Sequence, residues 1–275
     1  MNTRSTIFAI AIGSLVMAGC AGGNQGRINS VSDLQGKVIG SISTGISEKT
    51  KLDQTTLLIG AEPKEILQFN NRSDILAALI SGKIDGAGAP KSISEYYAKR
   101  NSKLKIIETK DHFETEIVMA VRNDDEKLKS ELDSALTILQ GNGKLKSLED
   151  EWITNLPANN EPAFKAIPKI DGARTIYVGV SGDFAPLDYI ASDGRPAGFN
   201  VAMLAEMGKV LNVNFEVVSI DSQAKFVALA SKKIDIVFFQ IMAKKYASLY
   251  TAESKKFLPT IPYYKDLSGY FLVRK

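Results

Sequence analysis

Residues 226–237 read Phe226-Val-Ala-Leu-Ala-Ser-Lys-Lys-Ile-Asp-Ile-Val237, and residues 77–85 read Ala77-Ala-Leu-Ile-Ser-Gly-Lys-Ile-Asp85. Each is an apolar helical stretch, broken by small and basic residues, that passes at once into an Ile-Asp step. A helix running straight into a short β-branched run is half of a strand–helix–strand unit. Such crossovers build parallel-rich sheets covered by helices. The same step in two distant places points to two α/β blocks.

Outward from these steps, the first block predicts strands at Lys37–Ser43, Ile66–Phe69 and Ile84–Ala89. Between and after them lie helices at Ser47–Leu58, opened by a Ser cap, Ser73–Ile80, stopped by Gly82, and Ser92–Lys99. Leu104–Glu108 and Glu116–Val121 read as two further strands, followed by helices at Glu126–Gln140 and Lys144–Ile153. Residues 156–172 carry Pro157, Pro162 and Pro168 and little periodicity, so they read as a linker. The second block predicts strands at Thr175–Ser181, Asn214–Ser219, Ile234–Phe239 and Gly269–Val273, with helices at Phe199–Leu211 and Gln223–Ala230.

The N-terminus differs in kind. Arg4 precedes the apolar run Thr6–Ala18, too short to span a bilayer, and Gly19 precedes Cys20. This predicts a signal peptide over residues 1–20 and a flexible tether over 21–27. The run Val16-Met-Ala-Gly-Cys20 resembles a bacterial lipobox, which implies lipidation of Cys20 and attachment to a lipid bilayer. The expected location is the cell envelope, on the periplasmic or extracellular face.

Composition narrows the class. The 34 basic and 31 acidic residues leave a net charge of +3 without long runs, so a nucleic-acid footprint is not expected. The single histidine, His112, and single cysteine, Cys20, leave no Ser–His–Asp or Cys–His set and no His/Cys metal cluster. Ser222-Gln-Ala-Lys225 fits a Ser-x-x-Lys tetrad without its companion motifs, and Gly86-Ala-Gly88 lacks the third glycine of a phosphate loop. Neither an enzyme, a metal site nor a cofactor is expected.

Both blocks resemble bacterial solute-binding proteins of the polar amino-acid class (family 3, periplasmic-binding-protein-like type II). Ile176-Tyr-Val-Gly-Val180, Asp183-Phe-Ala-Pro-Leu-Asp-Tyr189 and Asp193-Gly-Arg-Pro-Ala-Gly-Phe-Asn-Val201 resemble that family's first strand, cleft loop and first helix. Pro262-Tyr-Tyr264 and Gly269-Tyr-Phe-Leu-Val273 resemble the end of its first lobe and the strand after the hinge. Val31-Ser-Asp-Leu-Gln-Gly-Lys-Val-Ile-Gly40 resembles the opening of its second lobe, and Leu132–Leu139, Gly143 and Trp152 its terminal helices. The family's opening half therefore follows its closing half. Joining Lys275 to Ile28 restores the family order, which reads either as a circular permutation or as half-proteins that pair by swapping.

The resemblance implies an α/β, two-lobed type II clamp. The small lobe is expected at 28–118 with a returning strand at 268–275. The large lobe is expected at 119–267, including the linker 156–172. A small molecule would bind between the lobes, and closure would be read by a membrane partner, either an ABC-type importer or a sensor. A cell-wall enzyme on the same scaffold is a third reading.

The resemblance also implies the site. Phe184 stands where the family packs an aromatic on the ligand, or serves as a core residue beside Pro186. Ser181 and Asp183 lie on the same loop, where Asp183 could equally cap it. In the other lobe Ser43, Thr44, Gly45 and Ser47 lie between a strand and a helix start, as a polar cradle or an ordinary N-cap. Several positions depart from the family. Met242 and Ala247, after Phe239 and Gln240, replace the Thr and Arg that clamp a carboxylate. Pro90, before Lys91, replaces the acid that meets an ammonium, and Ser222 replaces a loop aromatic. These departures predict a ligand other than a free α-amino acid, one that is more apolar, neutral or anionic.

Overall fold

The computed structural model describes residues 27–43, 47–159, 161–162, 166–242 and 256–275, with the side chains of 241 and 242 left aside. The expected signal peptide and Cys20 lie outside the described residues, as do Thr44, Gly45 and Ala247.

The first lobe opens with β1 (Val38–Ile42), α1 (Glu48–Ile59), β2 (Glu65–Phe69), α2 (Arg72–Ser81), β3 (Gly86–Ala89) and α3 (Lys91–Arg100). Its helices begin and stop where local chemistry directs. The Ser47 hydroxyl accepts from the Thr50 N–H at 3.2 Å, and the Asn71 side chain accepts from the Asp74 N–H at 2.8 Å. Gly82 ends α2 at φ 84°, a left-handed turn that glycine adopts without strain.

A single strand of 19 residues, β4 (Leu104–Arg122), then carries the chain into the second lobe. It replaces the two strands expected at Leu104–Glu108 and Glu116–Val121. The polar run between them looks like a break in the sequence, but β12 (Tyr264–Arg274) pairs with β4 along nearly its whole length and holds it extended. For the same reason the last strand starts at Tyr264 rather than Gly269.

The second lobe contains α4 (Glu126–Gly141), α5 (Lys144–Glu149), β5 (Thr175–Val180), α6 (Phe199–Leu211), β9 (Asn214–Ser219), α7 (Lys225–Ala230), β10 (Ile236–Met242) and β11 (Phe257–Pro259). Past Glu149 the expected helix continues as one π-turn, Asp150–Thr154, that brings Trp152 inward to 2% exposure. Three short strands absent from the sequence expectation, β6 (Asp183–Phe184), β7 (Asp188–Ile190) and β8 (Pro196–Ala197), form a separate small sheet.

The large sheet runs β2-β1-β3-β12-β4-β10-β5-β9, with β11 paired to the last residues of β4, Ala120–Arg122. Both lobes have one plan: second strand, first strand, third strand, then a strand arriving from the other lobe. β4 and β12 are those exchanged strands. Two hydrophobic clusters, one around Leu34, Ile39 and Val273 and one around Ile75, Leu79 and Ile84, fill the first lobe. A larger one around Leu132, Leu136, Trp152, Val178 and Phe199 fills the second, with a smaller one around Leu229 and Ile234.

At the crossing, Gly269 sits at φ 106° where the β12 register shifts. A Cβ there would lie 2.3 Å from the Thr109 hydroxyl, so only glycine fits. Both ends of the described body lie on the first lobe. Ile28 packs in the same cluster as Val273, and the Lys275 N–H donates to the Lys103 carbonyl at 2.9 Å.

Candidate functional site

The lobes meet at the carboxyl ends of their strands, where open α/β sheets place ligands. On the first lobe, β2 ends at Phe69 and delivers Asn70, Asn71 and Arg72 to the meeting face. On the second, β5 ends at Val180 and delivers Ser181–Phe184, while β9 ends at Ser219 and delivers residues 221–224. Two hydrogen bonds join these loops, and a third reaches the second lobe from α3. The Arg72 N–H donates to the Asp183 carboxylate, the Gln223 amide donates to Asn70 Oδ1 at 3.0 Å, and the Tyr97 hydroxyl donates to the Asp183 carbonyl at 3.4 Å.

The Arg72 side chain is 4% exposed, and its guanidinium carbon lies 5.2 Å from the centroid of the Phe184 ring. A cation over an aromatic face gains from the ring quadrupole, most strongly when water is excluded. Among the described residues Arg72 Nε has no hydrogen-bond partner. Burial pushes its pKa below the usual arginine range, opposed by the fields of Tyr97 and Asp183. Burial likewise raises the Tyr97 hydroxyl to about 12, so it remains a neutral donor.

The expected site residues divide between this face and other duties. Asp183 and Phe184 are on it, and Ser181 beside them accepts from Lys225 Nζ at 3.4 Å. Ser222 lies in the turn before α7, next to the interlobe donor Gln223. Ser43 follows β1, where its N–H donates to the Phe69 carbonyl at 2.7 Å. Ser47 caps α1. Phe239 packs edge-to-face on Phe226, ring centres 5.5 Å apart, within the smaller cluster of the second lobe. Pro90 heads α3, its carbonyl accepting from the Ser94 N–H at 2.9 Å. Lys91 sits 3.8 Å from Glu95 on the outside of that helix. Gln240 donates to the Thr115 hydroxyl at 2.8 Å, and Met242 pairs with Thr115 in the sheet.

Residues 176–275 match the family model described as bacterial extracellular solute-binding proteins, family 3, and residues 12–132 match one described as NMT1/THI5 like. The second block of the chain is thus similar to the family 3 solute-binding proteins over residues 176–275. Among curated relatives, a putative ABC transporter arginine-binding protein 2 of Escherichia coli (strain K12) is 28% identical over 134 residues. That alignment covers 47% of this chain and 53% of the relative, so the chain spans about half the length of the curated relative it matches. A periplasmic binding protein from Brucella ovis, solved with glutathione bound, gives a TM-score of 0.46 at 11% identity, covering 90% of this chain and 66% of that one. The zinc-bound ligand-binding component of an ABC-type import system from Staphylococcus aureus gives 0.43 at 18% identity, covering 87% and 66%.

Two elements of the interlobe region lie outside the sequence expectations. The first is Arg72. A cation on the first turn of a helix opposes the helix dipole, and that misfit was the available signal. The second is Asp266 on β12, 4% exposed, which accepts from the Ser92 hydroxyl at 2.6 Å and the Ser92 N–H at 3.3 Å. Burial raises its carboxyl pKa against the effect of those hydrogen bonds. With Thr115 and Gln240 it forms a polar chain beside the crossing strands. Among the described residues no group of three His, Cys, Asp or Glu could hold a metal ion, and no helix is long and apolar enough to cross a membrane.

Proposed function

We propose that this chain is an exported, lipid-anchored solute-binding protein that closes two lobes on a small molecule and delivers it to an ABC-type importer. The observation that carries the reading is the Arg72 N–H donating to the Asp183 carboxylate across the two lobes. A loop from each strand set ends at the same face, and β4 and β12 give the lobes a hinge. The chain works as a binder rather than an enzyme. Its partners are the solute, the transporter and, through Cys20, the bilayer. Native mass spectrometry of the purified protein tests the reading through the mass of any carried solute. Small-angle scattering with and without that solute should show compaction on binding. A protein that carries nothing and never compacts refutes it.

We further propose that the lobes are joined in a circularly permuted order, with the small lobe at 28–118 plus 268–275 and the large lobe at 119–267. Support comes from Ile28 and Val273 sharing one cluster and from the common strand plan of the lobes. Residues 156–172 bridge α5 to β5 within the second lobe, where Asn214 Oδ1 accepts from the Ile170 N–H at 2.7 Å. A rearranged chain that starts at Ala173, joins Lys275 to Ile28 through a short linker and ends at Leu156 should fold as a monomer. Failure of that chain to fold counts against the permutation.

A further inference from the structure

Arg72 is a charge without a matching acid. Its side chain is 4% exposed, its Nε is unpartnered, and among the described residues no carboxylate forms an ion pair with it. The nearby Asp183 carboxylate instead receives the Arg72 backbone N–H. An isolated buried guanidinium is costly, and such groups persist where something pairs with them. The guanidinium carbon lies over the Phe184 ring, 5.2 Å from its centroid, and the unpartnered Nε is the donor left for a partner. A planar two-oxygen anion pairs with a guanidinium through parallel N–H···O bonds.

We propose that Arg72 is the anion anchor of the binding site, so that the solute carries a carboxylate gripped from the first lobe. This rests on the clamp reading above and adds the chemical class of the solute to it. Arg72 offers that grip from the first-lobe wall, beside Phe184 of the second lobe. Placement at the lobe interface also couples the anchor to closure. The backbone of Arg72 is bound to the second lobe while its side chain holds the solute, so one residue links both events.

The test is calorimetry and small-angle scattering with four carboxylates (succinate, glutarate, L-glutamate, phenylacetate), their amides and inorganic phosphate. Wild-type protein should bind at least one carboxylate with compaction, and its amide at least roughly tenfold more weakly. Arg72→Met should lower carboxylate affinity by at least roughly tenfold while keeping the wild-type circular dichroism. Arg72→Lys, which keeps the charge and loses the fork, should fall between the two, and it serves if the Met variant does not fold. Phosphate bound in place of every carboxylate, and weakened in Arg72→Met, overturns the carboxylate class. Carboxylate binding that survives Arg72→Met, or an amide bound as tightly as its acid, overturns the anchor and leaves the clamp standing. No binding and no compaction with any probe overturns both.

Discussion

The Arg72 N–H, on the first turn of α2 in one lobe, donates to the side-chain carboxylate of Asp183, on β6 in the other. The bond ties two segments 111 positions apart in sequence and exists only when the lobes meet. Bonds to charged acceptors contribute about 1.5–3 kcal/mol. Asp183→Ala should therefore shift the ligand-free protein toward an open form by roughly that amount. Scattering would show a larger radius of gyration than wild type, and an unchanged radius would mean that closure rests on other contacts.

Gly269 predicts a stability effect at the crossing. Gly269→Ala adds a Cβ 2.3 Å from the Thr109 hydroxyl in a left-handed conformation. Strain of this kind costs about 1–3 kcal/mol before the clash is counted. Thermal denaturation should show a drop in Tm. A double variant with Thr109→Ser gains nothing, because the hydroxyl remains, whereas Thr109→Ala should recover part of the loss.

Lys51 predicts a pH effect of defined sign. Its side chain is 6% exposed, and burial lowers its pKa from 10.5 to about 8. The folded chain then holds fewer protons than the unfolded chain between pH 8 and 10.5. Stability attributable to this group rises with pH across that window, by at most about 1.4 kcal/mol per pH unit. Lys51→Met should abolish that rise, so wild-type and variant unfolding curves should converge toward alkaline pH. Parallel curves from pH 8 to 10 would refute it.

Trp152, the single tryptophan, is 2% exposed in the second-lobe core. Its emission should be blue-shifted and resist iodide quenching. Leu136, fully buried in the same cluster, predicts a loss of about 2–5 kcal/mol on Leu136→Ala. That loss should appear as an earlier transition in the Trp152 fluorescence melt.

The elements legible in the sequence were those with local rules. α6 and β9 matched to the residue, because an apolar helix face and a Val-rich run need no partner to be recognised. Ser47 and Gly82 marked helix ends through cap chemistry. The middle of β4 was not legible: Thr109–Glu114 is polar, and its extended form depends on β12, over 150 residues away in sequence. Of the candidate site, Asp183 and Phe184 were expected through resemblance, and both lie on the interlobe face. Arg72 was not, because its burial is produced by the meeting of two lobes and leaves no periodic trace.

The proline-rich connection has a mechanical consequence. Arg100 of α3 donates to the Pro157 carbonyl at 2.6 Å and lies 3.8 Å over the Tyr96 ring, while the Tyr96 hydroxyl donates to Glu161 at 3.0 Å. Two strands alone form an axle about which the halves could both swing and wring. This latch ties α3 to the connection independently of those strands, so any motion that parts the two must break these hydrogen bonds.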